Sequence, residues 1–215
     1  MLHSMSLLAH LRRLLPQLGP VSRAEQLRAS VGALVGIALT GLVTHLVLGA
    51  DASVPLLVAP MGASAVLLFA VPSGPLSQPW SILGGNVSAA LIGITCRMWI
   101  SDPLIAMSVA VCLAVATMFL LRCLHPPGGA VAVTTVLSGP AVDALGYGFA
   151  IVPVGLNSLL LLLVAIAFNN LTGHRYPHLP TRQPASRHAT TDKPPRDQSA
   201  SPWTICGPCC ASRTR

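Results

Sequence analysis

Between Ala29 and His174 the chain carries only five formally charged side chains: Asp51, Arg97, Asp102, Arg122 and Asp143. Soluble domains are about a quarter charged, whereas this chain is 9% charged and 53% hydrophobic. A stretch this poor in charge requires lipid as its solvent, and lipid leaves every backbone donor and acceptor to be satisfied internally. Four apolar runs have about the twenty residues that a spanning helix needs: Ala29 to Ala50, Ser81 to Ile100, Pro103 to Leu121, and Gly146 to Phe168. Two further runs are interrupted or short, Val54 to Val71 and Ala130 to Leu137. The expectation is an all-α, polytopic helical membrane protein.

The charges lie in the flanks. The first 28 residues sum to +3, the stretch from Arg175 to +5 and the part between to −1. The basic balance therefore calls for no nucleic-acid partner. Under the positive-inside rule it places both termini in the cytoplasm of a multi-pass protein of the inner (plasma) membrane. The bilayer itself is the partner that composition demands, its anionic headgroups attracting both flanks. Three parts follow: a leader over residues 1–22, a transmembrane domain over 23–172 and a basic, disordered tail over 173–215. In the leader, Leu7, Leu8, Leu11, Leu14, Leu15 and Leu18 recur at helical spacing, which suits either an interfacial helix or a disordered segment.

The membrane part interrupts itself at Leu124-His125-Pro126-Pro127-Gly128-Gly129-Ala130. Two prolines cannot lie inside a helix, for want of N–H groups and of room, and two glycines allow close backbone approach. A comparable break lies at Pro60-Met61-Gly62-Ala63-Ser64. The stretch Pro60 to Val66 can be laid over Pro127 to Val133, after which Ser73-Gly74-Pro75 falls near Ser138-Gly139-Pro140 and Asn86 near Asn157. This predicts two three-segment repeats whose second and fifth segments are short and Pro/Gly-broken, the device by which transporter folds build a central site. Six crossings would make the halves inverted, and four, with re-entrant second and fifth segments, would make them parallel. Charge alone leaves both open, with a slight lean to six.

At His125-Pro126-Pro127-Gly128-Gly129-Ala130 the chain resembles the HPP family of small integral membrane proteins. Ala59 to Ser64, Gly84-Gly85-Asn86 and the final Asn-bearing span extend the resemblance over roughly Arg23 to Thr172. It implies a membrane protein described with four spans, some of whose members are implicated in nitrite transport. Many bacterial members carry paired nucleotide-sensing modules after the membrane part; the short tail here does not support that regulation.

A dehydrated small anion needs hydrogen-bond donors, and the N–H groups of a helix start supply them with the positive end of its dipole. Gly62 and Ser64 at one break, with Pro60, and Gly128 and Gly129 at the other, with Pro126 and Pro127, are the expected binding residues. Asn86, Asn157, Thr134 and Thr135 would add side-chain donors, and His125 a switchable charge for proton-coupled uptake. Plainer roles stand beside these: Pro-Gly breaks allow close packing, Asn often joins helices, and Thr bonds back to its own helix. Arg97 and Arg122 read as snorkelling interfacial anchors, and Asp51, Asp102 and Asp143 as helix caps. His45 reads equally well as interfacial.

No serine–histidine–aspartate order, phosphate loop or intramembrane carboxylate pair is present, so no catalysis, metal or cofactor is expected. Cys206-Gly207-Pro208-Cys209 matches a thioredoxin-type dithiol loop, but nothing around it supplies the strand and helix that would lower a thiol pKa. The competing reading is a non-transporting anchor, scaffold or sensor acting through its cytoplasmic tail. Glycine-rich faces would also permit a homo-oligomer, on composition alone.

Overall fold

In a computed structural model, residues 21–48 and 58–178 are described. Those residues form helices joined by turns. The elements are α1 (Arg23–Leu48), α2 (Met61–Ala70), α3 (Pro79–Trp99), α4 (Pro103–Leu120), α5 (Pro126–Leu137), a short α6 (Gly139–Leu145) and α7 (Leu156–Leu171). A 3-10 turn, Pro75–Ser77, precedes α3, and a kinked stretch, Ala150–Gly155, in which Val152 is extended, leads into α7.

Proline sets several helix starts, since its fixed φ suits the first turn and its missing N–H costs nothing there. Pro79, Pro103 and Pro126 each sit at that position. At α4 the Asp102 carboxylate accepts the Ile105 N–H at 2.8 Å, as its capping role requires. Before α5, Pro126 disfavours helical geometry at the preceding residue, and His125 is extended, with φ −138° and ψ 103°.

Four helical segments are long and apolar enough to cross a membrane: Arg23–Val47, Pro79–Trp99, Pro103–Leu120 and Ala150–Leu171. At 1.5 Å per residue, α2 and α5 reach only about 15–18 Å of a roughly 30 Å core. Direction nonetheless alternates at all six segments. Trp80 at the start of α3 donates to the Leu121 carbonyl at the end of α4. Arg28 near the start of α1 reaches Phe69 at the end of α2 and Asn169 at the end of α7. His125, where α5 begins, lies beside Leu76, just before α3. At the opposite end Arg97 of α3 touches Val136 of α5, and Thr44 of α1 touches Asn157 of α7. The first end thus holds the starts of α1, α3 and α5 with the ends of α2, α4 and α7. Among the described residues the helix directions thus alternate along the chain, with four helices long enough to span and the two short ones, α2 and α5, between them.

Packing follows small residues. A Cβ on Gly85 would stand 2.7 Å from His125 Cβ, and one on Gly93 2.8 Å from the Ala132 carbonyl; α3 and α5 therefore meet almost backbone to backbone. On α1, Gly32 and Gly36 leave room for the Phe69 ring, which itself meets Phe168 edge-on at 5.6 Å. Helix α1 packs on α2 and α7, as α4 packs on α5 and α3.

Residues Gly173–His178, expected to open the disordered tail, fold back instead. Tyr176 is buried and donates its hydroxyl to the Ser77 carbonyl at 2.6 Å, while Asn170 holds the Tyr176 carbonyl. An aromatic ring with a satisfied hydroxyl can anchor such a hook. Residues 1–20 of the predicted leader, Asp51 and the tail from residue 179, with its cysteine motif, lie outside the described residues.

Candidate functional site

Bringing α2 and α5 together joins the two predicted breaks. Ser64 Oγ and His125 Nε2 are 2.9 Å apart, and both residues are fully buried. His125 Nδ1 lies 2.9 Å from the Leu76 carbonyl. A carbonyl only accepts, so Nδ1 carries the hydrogen, and in the neutral ring Nε2 accepts from the Ser64 hydroxyl. Protonation at Nε2 would reverse the polarity of that bond without breaking it, because a hydroxyl both donates and accepts. The extended backbone imposed by Pro126 aims the imidazole at α2, and the close approach of Gly85 fixes its Cβ.

A second polar group lies among α1, α2, α3 and α7. Asn86 Nδ2 donates to Ser158 Oγ at 3.0 Å, and Ser158 Oγ faces Met61 Sδ at 3.9 Å. Asn157 Oδ1 accepts from Thr44 Oγ1 at 2.7 Å. Thr40 lies one helical turn from Thr44. All of these polar residues are fully buried, yet Thr40 Oγ1, Asn86 Oδ1 and Asn157 Nδ2 have no protein partner. Which end of each amide carries nitrogen is fixed here only by this hydrogen-bond network. Either assignment leaves both amides with hydrogen-bonding capacity unused.

The glycines do something other than expected. Gly62 and Gly129 face open space, whereas Gly128 is wedged against the Gly85 carbonyl, 3.0 Å from where its Cβ would stand. Nor are the first amides bare: Gly62 donates to Ala59, Ser64 to Pro60 and Gly128 to His125 through their backbone N–H groups. Tight first turns consume these donors locally, so no amide cradle forms at Gly62 or Gly128. Of the prolines, Pro60 and Pro127 are buried and Pro126 is exposed. Thr135 bonds back to Val131; Thr134 is half-buried, and no hydrogen bond ties its side chain to His125 or the asparagines. His45 is exposed.

The sequence singled out Ser64, Asn86, His125 and Asn157, and the structure buries all four. It gave less weight to what they touch: Thr40, Thr44, Met61, Ser158 and the Leu76 carbonyl. Two signals were available, the Thr40/Thr44 pair one turn apart on a membrane helix and a serine directly after Asn157. Arg97, expected as an interfacial anchor, stands partly exposed in the last turn of α3, where it donates to the Val136 carbonyl and pairs with Asp143; Asp143, expected as a helix cap, lies within α6 and serves this ion pair instead. No group of three metal-ligating side chains occurs among the described residues.

A family model described as "HPP, transmembrane region" matches residues 19–177. Two transmembrane proteins of Dictyostelium discoideum are similar in sequence. One is 35% identical over 132 residues, covering 59% of this chain and 46% of the relative. The other is 37% identical over 120 residues, covering 54% and 38% respectively. The chain thus spans less than half the length of the curated relatives it matches. No solved structure matches it.

Proposed function

Because the chain belongs to the HPP transmembrane family, we propose that it is a membrane carrier of a small inorganic anion, with nitrite as the candidate. The observation that carries this reading is the set of three fully buried, unpartnered atoms, Thr40 Oγ1, Asn86 Oδ1 and Asn157 Nδ2. Each buried unsatisfied polar group costs about 1–3 kcal/mol. In a bundle that could have used leucine at these positions, such a cost is explained by a solute that supplies the missing partner.

No ionised side chain takes part in the Asn86–Ser158 and Asn157–Thr44 pairs or in the Ser64–His125 pair. An unaccompanied anion there would face an uncompensated desolvation cost of several kcal/mol or more. The reading is therefore of an anion moved together with a proton. His125 is the proton carrier, since Nε2 can accept a proton and keep both of its hydrogen-bond partners. Ser64 links that proton to α2, while Asn86 and Asn157 supply the polar contacts. The roles given to Gly62 and Gly128 pass to packing and to turn formation.

The test is nitrite uptake by liposomes containing the full-length protein, with and without an inward proton gradient. Uptake above empty liposomes, accelerated by the gradient and lost in His125→Ala with the protein still inserted, is the expected result. Uptake no faster than in empty liposomes under either condition would overturn the reading.

A further inference from the structure

The two short helices are fastened alike at opposite ends of the bundle. At the first end, Arg28 Nη2 donates to the Phe69 carbonyl at 2.8 Å and Nη1 to Asn169 Oδ1 at 2.9 Å, while Nε donates to Glu25 at 2.8 Å. Asn169 in turn donates to the Leu68 carbonyl at 3.0 Å. At the other end, Arg97 Nη1 donates to the Val136 carbonyl at 3.1 Å, while Nε and Nη2 clasp the Asp143 carboxylate at 2.9 and 2.7 Å. Phe69 and Val136 stand in the same relation as Pro60 and Pro127: the same interval separates each pair. The equivalent carbonyl near the C-terminus of each short helix is therefore taken by a guanidinium that is itself held by a carboxylate, both arginines coming from the first half, on α1 and α3.

Carbonyls at a helix C-terminus lack intrahelical partners, and cations are favoured there. A guanidinium can serve a carbonyl and a carboxylate together, which an ammonium cannot do with the same planar geometry. The carboxylate side chains keep 31% (Glu25) and 61% (Asp143) of their surface exposed, so each latch can be reached from solvent while the arginines are more buried. The short helices they fasten carry Ser64 and His125.

The geometry points to Arg28 and Arg97 as matched latches, one at each face. Release of either frees the end of one short helix and opens the Ser64–His125 contact to that side alone. Alternate release would admit solute from one face and deliver it to the other, as alternating access requires. This inference rests on the carrier reading, but its test reads motion and not flux.

The full-length protein in liposomes, carrying Ala65→Cys as a reporter on α2 and the native, buried Cys96 beside Arg97 as the second, is treated with N-ethylmaleimide. Labelling at each thiol is followed by peptide mass spectrometry. Glu25→Gln should speed labelling at position 65 about fivefold and leave Cys96 unchanged; Asp143→Asn should do the reverse, the size being that of a partly exposed ion pair. Both thiols rising together in either variant would mean general loosening and would overturn the latches, as would no change at either thiol. A side-specific split without nitrite flux would uphold the latches and remove only the nitrite assignment.

Discussion

Ser64 Oγ rests 2.9 Å from His125 Nε2 and so ties α2 to α5 across the interior of the bundle. The residues at the two chain breaks thereby share one buried hydrogen bond, and its loss should be felt in both halves.

Ser64→Ala leaves the imidazole lone pair without a donor and should destabilise the protein by about 1–3 kcal/mol. His125→Ala also removes ring volume and strands the Leu76 carbonyl, so it should cost more. The double variant should cost less than the sum of the two, because both members of one contact are removed. Thermal unfolding in detergent measures all three; strict additivity would show that the two side chains act independently.

Glycine substitutions should divide by geometry. Gly85→Ala places a methyl group 2.7 Å from His125 Cβ and 2.9 Å from the Cys123 carbonyl. Overpacking of this kind costs about 1–3 kcal/mol. Gly62→Ala meets open space and should be neutral or stabilising by up to about 1 kcal/mol through helix propensity. Equal melting temperatures for the two variants would contradict this packing.

Asn157→Leu should separate stability from function. It removes the unpartnered Nδ2, and the Thr44 hydroxyl it abandons can bond back to the carbonyl one turn earlier on α1. Melting temperature should hold or rise, while nitrite uptake falls at least tenfold. Unfolding at a much lower temperature would mark Asn157 as interhelical glue instead.

Tyr176 sets an alkaline limit. Burial pushes its phenol above the ordinary value of about 10. Because the folded state holds this proton more tightly than the unfolded chain, its contribution is intact below about pH 10. It is lost as pH rises through the higher folded value. Tyr176→Phe should abolish this late phenolate absorbance step and cost about 1 kcal/mol at neutral pH through the lost bond to Ser77. Deletion of the tail should be made after His178, since removal from Arg175 onward would take this hook with it.

Much of the fold was legible. Lengths and charge spacing found α1, α3, α4 and α7, because the cost of charge in lipid acts on each segment separately; the bounds of α3 and α4 are close, whereas α1 begins at Arg23 instead of Ala29 and α7 at Leu156 instead of Gly146. Pro103 and the Pro126-Pro127 break marked the starts of α4 and α5 for an equally local reason, while Pro79, which opens α3, was not read as a start. The glycine argument failed at Gly62 and Gly128 because a residue type reports what the backbone permits, and the neighbour decides how it is used. For Gly128 that neighbour is Gly85; for Gly62 there is none.

Residue order and chemistry by themselves determined that the chain is an all-helical membrane protein of this family, broken twice, with polar side chains inside lipid. They left open the direction of the halves and the partners of Ser64, Arg28 and Arg97. Those depend on how each helix is rotated and how deeply it is set against the others, which small-residue contacts distant in sequence decide. Only the packed bundle could show that His125 meets Ser64, that Arg97 pairs with Asp143, and that three buried atoms are left without a partner.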